Sequence, residues 1–190
     1  MMVFTQPGDI LLFHGNDPVD LAIQAITGSQ YNHAAIIGPD GKIVEAWTDG
    51  VFSHTPAESF ADSTLQYVDV RRAISLNPQQ LESVSVKAAT YEGDAYGYLD
   101  IGFLAFLCLT RRLPNGFVVD SLLENVDGAI ANMVQLGKKH VICSALVALS
   151  FSDSGFPIIS MDGARLDSEF VTPYDLEHSP MFVPIGRLYP

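Results

Sequence analysis

The chain has 190 residues, of which 48% are hydrophobic and 17% charged, and a formal net charge of −12. That length and apolar content support one packed core and exclude a disordered or fibrous chain. The acidic balance excludes a nucleic-acid or anionic-lipid surface, because both need Lys and Arg to neutralise phosphates.

In chain order, Gly8-Asp9-Ile10-Leu11-Leu12-Phe13 is an apolar strand entered from a Pro7-Gly8 turn. Asp17-Pro18 is an N-cap with proline at the first helical position, and Gly28 closes that helix. His33-Ala34-Ala35-Ile36-Ile37 and Lys42-Ile43-Val44-Glu45-Ala46-Trp47 are strands joined by Gly38-Pro39-Asp40-Gly41, which is hairpin turn chemistry. Extended runs follow around Gly50–His54 and Leu65–Val70. Asn77-Pro78 caps a helix carrying Leu81, Val84, Ala88 and Tyr91 at helical spacing. Further helices are expected at Leu99–Thr110, at about 118–135 and at Val141–Leu149, with Cys108 as core. Thr172-Pro173 caps a short helix, and Phe182–Ile185 returns as an edge strand.

The expected architecture is therefore α+β: a small antiparallel sheet from the N-terminal half packed against helices from the C-terminal half. No repeat or linker divides it, so residues 1–190 read as one domain. The most apolar run, Ile101–Leu109, has nine residues, against the ~20 of a membrane-spanning helix, so no integral membrane segment is expected. No signal peptide is read at the N-terminus, and the two cysteines form no disulfide framework. A cytoplasmic setting is the simplest expectation, and release by another route would leave no trace in these residues.

Cys143 has the features that activate a thiol. It lies near a helix start and follows Lys138, Lys139 and His140. Of the five histidines, His33 is tied to a carboxylate by the hairpin. With Pro39-Asp40-Gly41 as a three-residue loop, His33 opposes Trp47, and Glu45 is its diagonal neighbour. With the pairing shifted by two, His33 opposes Glu45 directly. Both registers put the pair on one face within ~4.5–8 Å, whereas a four-residue loop would separate them. His54 is the alternative base. The sequence contains no HExxH or CxxC metal signature, no glycine-rich phosphate cradle and no serine-hydrolase elbow. No metal or other cofactor is expected.

The runs Gly8-Asp9-Ile10, Thr27–Ile36 and Val44-Glu45-Ala46, followed by Tyr96-Gly97-Tyr98, Ile142–Val147 and Thr172–Leu176, resemble YiiX-like proteins. These belong to the NlpC-type superfamily of permuted papain-fold hydrolases, which includes lecithin retinol acyltransferase. The resemblance implies a circularly permuted papain-like fold, with histidine preceding cysteine in the chain. It also implies that Cys143 is the nucleophile, His33 the base and Glu45 the third polar residue, with the oxyanion held by backbone N–H groups at the cysteine helix. Tyr31, Asp9, Trp47 and Ser144 are the expected substrate-binding residues, although Ser144 by itself reads as structural. Residues 111–139 stand as an insertion relative to the family, and Asn32 occupies a position where serine is common.

The implied activity is a thiol hydrolase cleaving a peptide-like amide, with cell-wall peptides as the substrate class. The same site could instead serve a lipid or acyl-chain acyltransferase or esterase. A papain-fold binding module without catalysis is the third reading. Oligomeric state is not legible.

Overall fold

The computed structural model describes residues 3–47, 50–96, 140–141 and 143–190. The expected helices at Leu99–Thr110 and 118–135, the insertion at 111–139 and the core assignment of Cys108 lie outside the described residues.

The chain enters the sheet through Gly8, whose φ of +83° suits glycine alone. A Cβ there would stand 2.6 Å from the Leu81 carbonyl oxygen, so the missing side chain is also what lets this turn pass close to a helix. Strand β1 (Ile10–Gly15) leads to helix α1 (Pro18–Thr27). Asp17 and Asp20 form a reciprocal capping box at its start, and Gly28 ends it in the left-handed region. Strands β2 (His33–Ile37), β3 (Ile43–Trp47) and β4 (Gly50–His54) follow as hairpins. A single turn, α2 (Pro56–Ser59), leads into β5 (Leu65–Ala73), and α3 (Pro78–Ala89) comes next, capped by Asn77 and Gln80.

Two short parallel strands, β6 (Ala95–Tyr96) and β7 (His140–Val141), precede α4 (Cys143–Asp153). A 3-10 turn (Ser168–Phe170), α5 (Pro173–His178) and β8 (Phe182–Leu188) complete the order.

Six strands form one antiparallel sheet in the order β4-β3-β2-β1-β5-β8. The expectation of strands first and helices later is correct only in part. Helices α1 and α3 lie among the strands of the first half, and the edge strand expected at Phe182–Ile185 is β8, paired with β5. That strand runs three residues beyond the expected Ile185.

One face of the sheet is covered by α3, α4 and α5, and Ile10, Leu12, Ile36 and Val44 pack there with Leu81, Val84, Leu146, Val147, Phe151 and Leu176. The other face buries Leu11, Phe13, Ala35, Ile37, Ile43, Val68 and Val70, with Phe60 and Val3 against them. Because both faces are buried, β1 is apolar from Ile10 to Phe13 and β2 from Ala34 to Ile37, and over these residues neither strand shows a polar face.

Helix α4 packs on β2, β3, α3 and the 3-10 turn. Eight of its eleven residues are buried, which explains why no amphipathic stripe marks it in the sequence. The sequence suggested one helix from Val141 through Leu149. The structure instead puts His140–Val141 in a strand and begins the helix at Cys143, so the thiol stands at the helix N-terminus.

Candidate active site

The β2–β3 hairpin pairs Ile36 with Val44 and Ile37 with Ile43, and the Gly38 N–H donates to the Lys42 carbonyl at 2.8 Å. Pro39-Asp40-Gly41 is therefore the three-residue loop, and Gly41 supplies the positive φ (+78°) that it needs. Continued at this register, His33 opposes Trp47, and their rings lie 5.4 Å apart. Glu45 is the diagonal neighbour of His33. The His33 Nε2–H donates to Glu45 Oε2 at 3.0 Å.

Glu45 is fully buried and its other oxygen is also engaged. Oε1 accepts from His54 Nδ1–H at 2.9 Å and from the Ser59 hydroxyl. Burial alone would push this carboxyl up, but the donors His33, Ser59 and His54 outweigh it and hold it at about 2. It is an anion at any working pH.

Cys143 is brought to the start of β2 by the packing of α4. The His33 imidazole and the backbone N–H groups of Ala34 and Ser144 are the polar groups that act on its sulfur. Burial opposes a thiolate, yet the His33 charge and these donors lower the thiol below its ordinary value. Burial likewise opposes charge on His33. The Cys143 thiolate and Glu45 together outweigh it and raise the imidazole to about 10. Since Nε2 is bonded to Glu45, Nδ1 is the nitrogen left for sulfur. The ring is flanked by Phe13, with centroids 5.0 Å apart, and by Trp47. Both shifts favour charge separation between thiol and imidazole, with the Glu45 anion behind the ring.

The remaining expected residues fall in different places. Trp47 is 41% exposed beside His33. The Ser144 hydroxyl is turned away and donates to the Val171 carbonyl at 2.7 Å, so this residue reaches the sulfur through its main chain only. Tyr31 is fully buried, and its hydroxyl donates to Asp69 at 2.5 Å. Burial and that carboxylate raise its pKa.

Asp9 precedes Ile10, at the opposite end of β1 from Phe13, which pairs with His33. It is fully buried and bound by Arg72 through Nε at 2.6 Å and Nη2 at 2.7 Å. The structure does not bring Asp9 to the thiol. Asn32 uses its side chain to accept from the Gly15 N–H and to donate to Asp20, which fixes the entry to β2.

Sequence reasoning offered His54 as a competing base and did not connect Ser59 to the site. The signal for His54 was present: Glu45 pairs with Phe52 across β3–β4, and His54 lies two residues on, hence on the same face.

No protein-family model and no curated protein matches the sequence. The crystal structure of metalloprotein yiiX from Escherichia coli O157:H7 (DUF1105) superposes with a TM-score of 0.63 over 97% of this chain and 98% of that one, at 16% identity. The chain has a yiiX-like fold. At that identity the likeness speaks for the fold, and the chemistry rests on the side chains described above. In this yiiX-like chain the histidine strand precedes the cysteine helix, and the packing of α4 on β2 closes the 110 residues between them.

Proposed function

We propose that the protein is a thiol hydrolase that cleaves a peptide-like amide through a Cys143–His33–Glu45 triad on a circularly permuted papain-type scaffold. The observation that supports this reading is the bond from His33 Nε2–H to the buried Glu45 carboxylate, with the Cys143 thiol at the start of α4 acting on the same imidazole. A surface His–Glu pair would have neither a buried anion nor a sulfur partner.

The reaction begins with Cys143 Sγ as thiolate attacking the carbonyl carbon of the amide. Backbone N–H groups at the start of α4 stabilise the oxygen that becomes negative. His33 Nδ1–H then protonates the leaving nitrogen, the C–N bond breaks, and a thioester remains on Cys143. Water next gives a proton to Nδ1 and attacks the thioester, releasing the acid and restoring the thiolate. Glu45 keeps the ring oriented and balances its charge throughout, and is not itself protonated.

The yiiX neighbour is described as a metalloprotein. Catalytic zinc takes about three protein ligands and structural zinc about four. Among the described residues no group of three or more His, Cys, Asp and Glu side chains is arranged to hold a metal ion. Both oxygens of Glu45 are occupied by N–H and O–H donors, leaving Cys143 and His33 as a two-ligand set. Among the described residues this donor set does not fit a resident metal.

Iodoacetamide alkylation of Cys143 across pH tests the reading. A reactive thiolate below pH 7 that is lost in His33→Ala supports it. Ordinary thiol behaviour near pH ~8.5 would overturn it. Amide turnover that persists in Cys143→Ala would do so as well.

A further inference from the structure

Glu45 has more donors than the orientation of one imidazole requires. Oε2 serves His33, while Oε1 accepts from both His54 Nδ1–H and the Ser59 hydroxyl. An ionised carboxylate can only accept, so His54 carries its proton on Nδ1 in this bond whatever the state of its Nε2. Ser59 is 6% exposed and ends α2, a turn set by the Thr55/Glu58 capping box. Phe52 stacks on the His54 ring at 5.9 Å. Among the described residues, the charged groups acting near His54 include Glu58, whose carboxylate is bound to Thr55, and Lys42, whose ammonium pairs with Asp40. Neither Glu58 nor Lys42 supplies a donor to Oε1.

We propose that His54 and Ser59 are positioning residues that clamp Oε1 of Glu45, so that Oε2 is held against His33 Nε2–H and Nδ1 is left to the Cys143 thiol. Its catalytic consequence rests on the thiol-hydrolase reading above. Neither residue touches the reacting atoms. Without them Oε1 would be a buried anionic oxygen with no donor, and the carboxylate would turn or admit water to satisfy it. Neutral His33, the form that accepts a proton, would then populate the tautomer with the proton on Nδ1, which turns a lone pair toward Glu45 and leaves no acceptor nitrogen facing the thiol.

Two measurements test the clamp. The first is the 15N spectrum of His33 in a Cys143→Ala background, above the titration of His33. The Nε2–H tautomer should dominate there and give way to a mixture when His54→Phe and Ser59→Ala are added. The second is the acylation of intact Cys143 by p-nitrophenyl acetate. It should slow by roughly ten- to hundred-fold in the same pair, as expected for losing charge-assisted hydrogen bonds behind the base.

His54→Asn places an amide nitrogen where Nδ1 stood and should recover most of the rate lost in His54→Phe. A packing role would show the reverse, because phenylalanine keeps the ring and asparagine does not. An unchanged tautomer and rate in the double substitution would overturn the clamp, as would failure of His54→Asn to recover. If Cys143 of the unsubstituted protein shows no thiolate reactivity, the hydrolase reading falls. The tautomer comparison still decides the clamp in that case.

Discussion

At the scale of the residue, Glu45 decides how the site behaves with pH. Its carboxyl is held at about 2 against an ordinary 4.5. A depressed carboxyl contributes stability that is present above the unfolded value and is lost as pH falls through the folded one. The window is therefore about 4.5 down to about 2, and the linked contribution is ~3 kcal/mol at one pKa unit per 1.36 kcal/mol. Urea unfolding from pH 6 to 2.5 should show this loss, and Glu45→Gln should flatten it.

His33 has the opposite sign. Its pKa is raised from 6.5 to about 10, so its contribution is full below 6.5 and lost as pH rises through about 10. The thiolate–imidazolium pair should accordingly persist to near pH 10. In Glu45→Gln the upper limit should fall and the alkylation rate at pH 7 drop by roughly ten-fold or more, as expected for removing a charged hydrogen-bond partner. An alkylation profile unaltered by Glu45→Gln would remove Glu45 from the triad.

At the scale of the element, the hairpin was the most legible part of the chain. Period-two side chains put His33 and Glu45 on one face in two of the registers that a proline-led glycine turn allows, and the three-residue loop is one of those two. The same rule, extended to β4, places His54 beside Glu45, but only once β3 and β4 are known to pair Glu45 with Phe52. The start of α4 was less legible. An apolar run buried on all sides carries no period, so its first helical residue could not be read from the pattern.

That burial predicts a large effect at Leu146, which is fully buried between the sheet and α3. Leu146→Ala should cost about 2–5 kcal/mol in denaturant unfolding, because α4 is held on several sides and cannot collapse into the cavity. Since α4 also carries Cys143 to His33, the same substitution should slow alkylation even where the protein remains folded. A cost below about 1 kcal/mol would mean that α4 is more loosely packed than described.

At the scale of the whole molecule, two fully buried carboxylates have different partners. Asp9 is bound by Arg72, a permanent cation, and Glu45 by two titratable histidines and a serine. The first arrangement ties the entry of β1 to β5, and the second supports chemistry. Removing Arg72 leaves Asp9 buried without its counter-ion. Arg72→Ala should destabilise by about 3–5 kcal/mol, with Cys143 alkylation unchanged at temperatures where the protein is folded. Loss of thiol reactivity without loss of stability would instead give Asp9 a role in the site.

The sequence by itself determined most elements and their caps, and it made His33 and Glu45 neighbours on condition of a three-residue loop or a register shifted by two. Each of these follows from rules acting over a few residues: side-chain period, capping and turn geometry. Only the tertiary structure decided that α4 brings Cys143 to β2, that β8 pairs with β5, and that His54 and Ser59 share Glu45. Those contacts depend on strand order and on the seating of α4 against β2 and β3. Burial of apolar surface, the force that sets them, is non-directional and leaves no local signature in the chain.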